Sequence, residues 1–240
     1  ELYFQPIYNT DDDSLSGAEA LIRWNSRKYG FIGPNTFIPL LEDSALIIPL
    51  GRWIINTAAK ACNRWITSIP DFVMHINLSF VQIVKSNIVK DVLENIERYS
   101  AANNHYVFEI TETIEMDQIP AVQNVFKEFV KNDFRFAIDD FGTGYSNYGY
   151  MRDRTFDIVK VDRSFVTDID KLKDNYLMVS FIIKMAHEMG LHVCIEGVET
   201  KEELSCVKKL GADYIQGYYY GKPVCLQDFE EQHLKRFVLG

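Results

Sequence analysis

Several things are scarce in this chain, and each scarcity removes a class of protein. The four cysteines, Cys62, Cys194, Cys206 and Cys225, are scattered without a CxxC pair. They do not form the framework of a disulfide-stapled secreted domain, and a reducing cytosol is the expected compartment. Positive charge is in deficit, with 25 Lys plus Arg against 34 Asp plus Glu and a formal net charge of −9. That balance argues against a general nucleic-acid surface, so no DNA or RNA polymer is expected as a partner. A phosphate-bearing substrate is still compatible where metal ions supply local positive charge. Long apolar runs are missing too: Leu177 to Met185 is interrupted by Ser180 and Lys184 and is too short to span a bilayer, and no signal-peptide pattern opens the chain. There is no domain linker, low-complexity tract or sequence repeat. No glycine-rich phosphate-binding turn follows the first strand-like segments, which speaks against an open doubly wound sheet.

The chain does have 240 residues, 47% of them hydrophobic, enough for one large core and close to the roughly 250 residues of a (β/α)8 barrel. Its opening, Glu1 to Gln5, resembles part of a tag-cleavage sequence but continues through Pro6 and Ile7 as a first strand, and is read as native. Because the chain starts almost inside a strand, residues 1–240 are expected to be a single domain of a longer protein. After a polar turn, Asn9 to Ser16, the segment Gly17 to Trp24 alternates with period two, so Glu19, Leu21 and Arg23 share one face. Further strands are expected at Phe72 to Asn77, Tyr106 to Thr111, Phe134 to Ile138, Phe156 to Val161, His192 to Ile195 and Tyr214 to Gly217. Helical spacing marks Leu46 to Ile66, Ile83 to Tyr99, Pro120 to Lys131, Asn175 to Met189 and Thr200 to Leu210. Thr200 with Glu203 makes a capping box, and Gly190 and Gly211 fall just past helix ends. The alternation predicts an α/β barrel of TIM type.

Against that frame, Glu19, Asn77, Glu109, Asp139, Asp140 and Glu196 all fall at or just past strand ends, where the loops of a barrel converge on one mouth. Any one of these acids alone reads equally as a helix cap or a solvated side chain. Together they form an oxygen-rich ligand set of the kind that suits magnesium rather than a softer metal, and the adjacent Asp139-Asp140 pair can bridge two cations about 3.5–4 Å apart. Lys160, in Asp157-Ile158-Val159-Lys160-Val161-Asp162, faces inward with Asp162. A buried lysine needs a charged partner or a chemical role. It either forms an ion pair with Asp162 or polarises an attacking water. Arg23 either clamps a phosphate or pairs with a neighbouring acid. His75 lies one layer below Asn77 and reads as a hydrogen-bonded core histidine, Cys194 reads as packing, and Tyr145, Tyr148, Tyr150 and Tyr218 to Tyr220 read as half-buried aromatics rather than base-stacking platforms.

The ordered motifs Gln5-Pro6-Ile7, Glu19-Ala20-Leu21-Ile22-Arg23-Trp24, Asn77-Leu78-Ser79, Glu109-Ile110-Thr111-Glu112, Asp139-Asp140-Phe141-Gly142-Thr143-Gly144-Tyr145-Ser146, Lys160-Val161-Asp162, Glu196-Gly197-Val198-Glu199-Thr200 and Gln216-Gly217-Tyr218 resemble the EAL family of cyclic di-GMP phosphodiesterases. The resemblance implies a modified TIM barrel whose first strand is antiparallel. It also implies metal-dependent hydrolysis of cyclic di-GMP to linear 5′-pGpG, using two magnesium or manganese ions. By that pattern Glu19, Asn77, Glu109 and Asp139 hold one ion, and Asp139, Asp140 and Glu196 surround the other. Lys160 and Glu196 orient and deprotonate water, Leu21, Arg23 and Gln216 serve the substrate, and Glu112 and Glu199 support the loops. It further implies a homodimer through the segment after Asp140, a GGDEF or sensory domain in the full-length protein, and a cytoplasmic domain on a protein that is in some cases membrane-anchored. The alternative in the family is a silent EAL domain that acts as a cyclic di-GMP receptor or interaction module. The stretch Asn147 to Arg154 departs from the family's usual small residue and leucine-rich continuation.

Overall fold

Strand β1 (Leu2–Asn9) lies antiparallel to β2 (Leu15–Ile22) in the computed structural model, which describes residues 1–111, 120–143 and 155–234. A small separate hairpin, β3 (Trp24–Ser26) and β4 (Gly30–Ile32), precedes helices α1 (Pro34–Asp43) and α2 (Ile47–Trp65). There follow β5 (Val73–Asn77), α3 (Phe80–Lys85), α4 (Ile88–Ile96), β6 (Tyr106–Thr111), α5 (Pro120–Lys131), β7 (Arg135–Phe141) and β8 (Ile158–Val161). The described chain ends with α6 (Lys173–Glu188), β9 (His192–Ile195), α7 (Lys201–Leu210), β10 (Tyr214–Gln216), β11 (Val224–Cys225), α8 (Leu226–Phe229) and one turn of π-helix.

Strands β2, β5, β6, β7, β8, β9 and β10 pair in parallel in that order. Strand β10 then pairs antiparallel with β1, with Ile7 opposite Gln216. The sheet therefore closes into an eight-stranded barrel with a reversed first strand, and an open doubly wound sheet is excluded. Strand β11 lies on the other half of β1, with Tyr3 opposite Cys225.

Period-two alternation sorts the side chains into two cores. Outward residues such as Phe108, Phe136 and Val159 pack against the helices, where Phe126 and Phe129 meet Phe136 at ring-centroid distances of 4.7 and 5.2 Å. Inside the barrel a small apolar plug of Ile7, Val107, Ala137, Ile158 and Cys194 fills the middle. Two residues further along the same strands come Gln5, Glu109, Asp139, Lys160 and Glu196. The apolar plug is thus the floor on which a polar layer rests. Gly17 is needed for the approach of β2 to β5, because a Cβ there would lie 2.2 Å from the Val73 carbonyl oxygen.

Most expected elements are present, and the differences have local causes. The expected helix Ile83 to Tyr99 is two helices: Ser86 is extended, and the Asn87 side chain accepts from Lys90 N–H to start a new helix. Such side-chain caps compete with an uninterrupted helix. Strand β2 begins at Leu15 inside the expected turn and ends at Ile22. Arg23 still exchanges backbone hydrogen bonds with Glu1, each at 2.8 Å, and Trp24 belongs to the hairpin. Strand β7 runs on past Ile138 to Phe141. The Thr200–Glu203 capping box and the left-handed Gly211 at its helix end are both formed. Among the described residues no helix is long and apolar enough to cross a membrane.

At the floor end of the barrel, Asp213 ties β9 to β10 and α6. Its Oδ2 accepts from Val193 N–H at 2.7 Å and lies 2.8 Å from His187 Nε2, while Oδ1 lies 3.2 Å from His192 Nδ1. Burial raises the Asp213 carboxyl, but the bonds from His192, His187 and the Val193 amide outweigh it and bring its pKa to about 2. His192 is raised by its bond to Asp213. The stabilisation from charging His192 is therefore fully present below its ordinary value of 6.5 and is lost as pH rises through the raised folded value. Asp213→Asn should lower the melting temperature more at pH 5.5 than at pH 8.5. Both groups are partly exposed, so the pH-dependent part should amount to about 0.2–1 kcal/mol. Equal losses at the two pH values would show that the pair contributes only hydrogen bonds.

Candidate active site

The polar layer is organised around one ammonium. Lys160 is fully buried, and its Nζ lies 2.7 Å from Glu196 Oε1, 2.8 Å from Glu109 Oε2, 3.2 Å from Asp139 Oδ1 and 3.5 Å from Glu19 Oε2. Of the two readings of Lys160, the simple pair with Asp162 is not what is found: that carboxylate accepts from Ser164 N–H and caps a short 3-10 turn. Burial alone would lower the lysine's pKa, but the charges of Asp139, Glu109, Glu19 and Glu196 outweigh it and raise the pKa well above 10.5. Lys160 is thus a permanent cation.

Each strand contributes by its last inward residue. Glu19 on β2 accepts from Asn77 Nδ2 and from Gln216 Nε2, both at 2.6 Å. Glu109 on β6 is held between Lys160 and His75, whose Nδ1 is 2.7 Å from Glu109 Oε1. Gln216 Nε2 also reaches Gln5 Oε1 at 3.1 Å, which joins β10, β1 and β2. Consecutive strand residues ordinarily face opposite ways, so Asp139 and Asp140 need a device to converge. The register of β7 against β8 shifts between Ile138 and Phe141, and Asp140 has φ 54°. A bulge with one left-handed residue, a conformation aspartate tolerates, turns both carboxylates to the mouth.

The electrostatics follow from crowding. Burial raises the Glu19 carboxyl, yet Lys160 and the amides of Gln216 and Asn77 outweigh it and bring its pKa to about 2. Burial, with the neighbouring Glu19 charge, keeps Glu109 well above the usual carboxylate range. Burial also pushes Glu196 up to about 8 against the opposing pull of Lys160, with Asp139 and Glu19 adding to the rise. Burial and Asp139 raise Asp140. One lysine cannot neutralise five carboxyl groups, so the set is under-compensated.

The donor set fits divalent cations. Ligand atoms of Glu19, Glu109 and Asp139 lie within 4.8 Å of one another, as do those of Asp139, Asp140 and Glu196. Asp139 belongs to both groups, and its buried Oδ1 has no hydrogen bond. Two divalent ions and Lys160 would together balance the five carboxylates of these groups. Of the ligands that the resemblance implies, the fold brings Glu19, Glu109, Asp139, Asp140 and Glu196 into these two groups, while Asn77 donates its amide N–H to Glu19.

A family model described as the EAL domain matches residues 1–223. The chain belongs to the EAL family. It is 34% identical over 244 residues to an uncharacterized protein, sll1895, of Synechocystis, covering 100% of this chain and 35% of that one. It is 32% identical to the cyclic di-GMP phosphodiesterase PdeL of Escherichia coli, covering 92% of this chain and 62% of PdeL. The chain thus spans less than two thirds of either relative. Among solved structures, the EAL enzyme Bd1971 in its cAMP- and cyclic-di-GMP-bound form superposes with a TM-score of 0.91 at 36% identity, covering 96% of this chain and 64% of that one.

Within this EAL barrel the remaining expected residues are unevenly placed. Leu21 lies two residues past Glu19 on β2, on the same face, and is partly exposed. Arg23 is half-buried above it, donates Nη1–H to the Ile22 carbonyl at 2.9 Å and forms no ion pair among the described residues. Glu199 has an exposed side chain, and its backbone N–H bonds Glu203 Oε2 at 2.9 Å. Glu112 and the segment 144–154, with Tyr145, Tyr148 and Tyr150, lie outside the described residues. Tyr220 stacks on Tyr8 at 4.3 Å and bonds Asp13, so it is structural. Gln5 stands out in the sequence only as part of a motif. Its inward register opposite Glu19 is the signal that places it in the site.

Magnesium or manganese at a hundredfold excess over its dissociation constant should stabilise the fold by about 2.7 kcal/mol, or roughly 5–10 °C for a domain of this size. Asp139→Asn should remove most of that gain, since it depletes both groups. A melting temperature indifferent to both ions would rule out a metal site here.

Proposed function

We propose that this EAL domain hydrolyses cyclic di-GMP to linear 5′-pGpG with two magnesium or manganese ions, the observation that carries the reading being two acidic groups that share Asp139 beside the buried Lys160. Cyclic di-GMP comes from PdeL's printed name and from the ligand of the Bd1971 structure. Glu19, Asn77, Glu109 and Asp139 would hold one ion, and Asp139, Asp140 and Glu196 the other. Such ions, when bound, lower the pKa of water and offset charge on the phosphodiester.

The chain's own groups supply the rest. Glu196, 2.7 Å from Lys160, is the acceptor for the proton of the attacking water. Lys160 orients the water and Glu196 by donating hydrogen bonds. Arg23 offers its remaining guanidinium N–H groups to a phosphate oxygen, with Leu21 beneath the substrate. Gln216 fixes Glu19 and leaves its buried Oε1, which has no hydrogen bond, for a partner in the site. Glu112 and Glu199 are assigned to loop support.

The domain is further proposed to sit in a longer signalling protein with a GGDEF or sensory domain, and to work as a homodimer through the segment after Asp140. A further apolar surface for a two-fold contact is the outer face of α6, on which Leu177 and Phe181 are 54% and 56% exposed. Light scattering should show a dimer that Phe181→Glu converts to monomer. A monomeric native chain would refute this contact.

Chromatography of cyclic di-GMP incubated with the protein should show pGpG with either ion and none in chelator. Asp139→Asn should abolish turnover. Lys160→Met should retain most metal binding yet slow turnover by about 10²–10⁴, the range of a positioned proton-transfer system. Tight cyclic di-GMP binding without product in the presence of metal would establish a receptor instead, and turnover only of other nucleotides in a substrate panel would overturn the assignment of substrate.

A further inference from the structure

We infer that His75 is a positioning residue that sets the Glu109 carboxylate for divalent-metal binding, an inference that rests on the two-metal reading above. The fold puts His75 where an apolar residue would ordinarily serve. It lies on β5, two residues below Asn77, is 4% exposed, and borders the plug made by Val107 and its neighbours. A polar ring in such a place is costly unless it makes a hydrogen bond, and it makes one: Nδ1 is 2.7 Å from Glu109 Oε1. The other oxygen, Oε2, is 2.8 Å from Lys160 Nζ. Glu109 is therefore gripped at both oxygens, from β5 on one side and β8 on the other.

Lys160 alone does not fix this rotor, because its ammonium is also shared with Glu196, Asp139 and Glu19. Among the described residues, the ring of His75 bonds Glu109 alone. A carboxylate can only accept, so a ligating Glu109 requires the proton on Nδ1. The residual lone pairs of Glu109 are thereby turned toward Glu19 and Asp139, its companions in the first metal group. Histidine hydrogen-bonded behind a ligand is the arrangement by which an outer residue tunes metal affinity.

The test uses two near-isosteric replacements. In His75→Asn the side-chain amide nitrogen stands the same number of bonds from Cβ as the imidazole Nδ1, so the donor is kept. In His75→Leu a methyl group takes that place, and both variants lose the far half of the ring. Manganese binding by calorimetry on the purified chain should be about 10–100-fold weaker in His75→Leu and near native in His75→Asn. Turnover at saturating manganese should fall far less than affinity. If the two variants bind manganese alike, the ring merely fills space and the inference is wrong; if His75→Leu does not fold, His75→Ala replaces it as the donor-free variant. A native chain that binds no manganese would overturn the two-metal reading as well, which separates the two failures.

Discussion

The structure depends on a fully buried ammonium at the centre of converging carboxylates. Lys160 without its acids would be an unpaired buried charge, and the acids without Lys160 would repel one another in a low-dielectric site. Each half offsets the cost of the other, so the strands that carry them are specified jointly. The same frustration prepares the site for cations: the groups are close, desolvated and short of positive charge, which is the state a divalent ion relieves. Stability and function therefore draw on one arrangement here.

Two layers of the barrel share this arrangement unequally. The apolar plug of Ile7, Val107, Ala137, Ile158 and Cys194 keeps water away from the underside of the acids, so every interaction above it is strengthened. Lys160, with the hydrogen bonds from Gln216 and Asn77, holds the Glu19 carboxyl low, whereas burial beside the Glu19 charge holds Glu109 high. Identical side-chain types thus acquire different properties from position alone.

Much of this is legible in the chain. Period-two alternation places Glu19, Asn77, Glu109 and Glu196 at strand ends and Lys160 facing inward, because a barrel wall with one polar end leaves a strong pattern. The reversed first strand comes only with the family resemblance, since a strand's direction leaves no trace in its own periodicity. The break at Ser86-Asn87 is hidden because helical spacing continues across it. The convergence of Asp139 with Asp140 needs a bulge, and strict alternation would send them apart. Asp162 is the partner that sequence suggests for Lys160 because proximity shows neighbours along a strand, whereas the real partners lie across four other strands.

The bond of Gln216 to Gln5 and Glu19 spans almost the whole chain and crosses the seam where the last barrel strand meets the first. Closing a loop of that length is among the entropically dearest contacts in the molecule, and such contacts form late. An unfinished barrel emerging from synthesis would carry most of its acids yet lack the oriented Glu19 that completes the set. The acidic group that contains Glu19 is thus completed only when the seam closes, whereas Asp139, Asp140 and Glu196 converge without it.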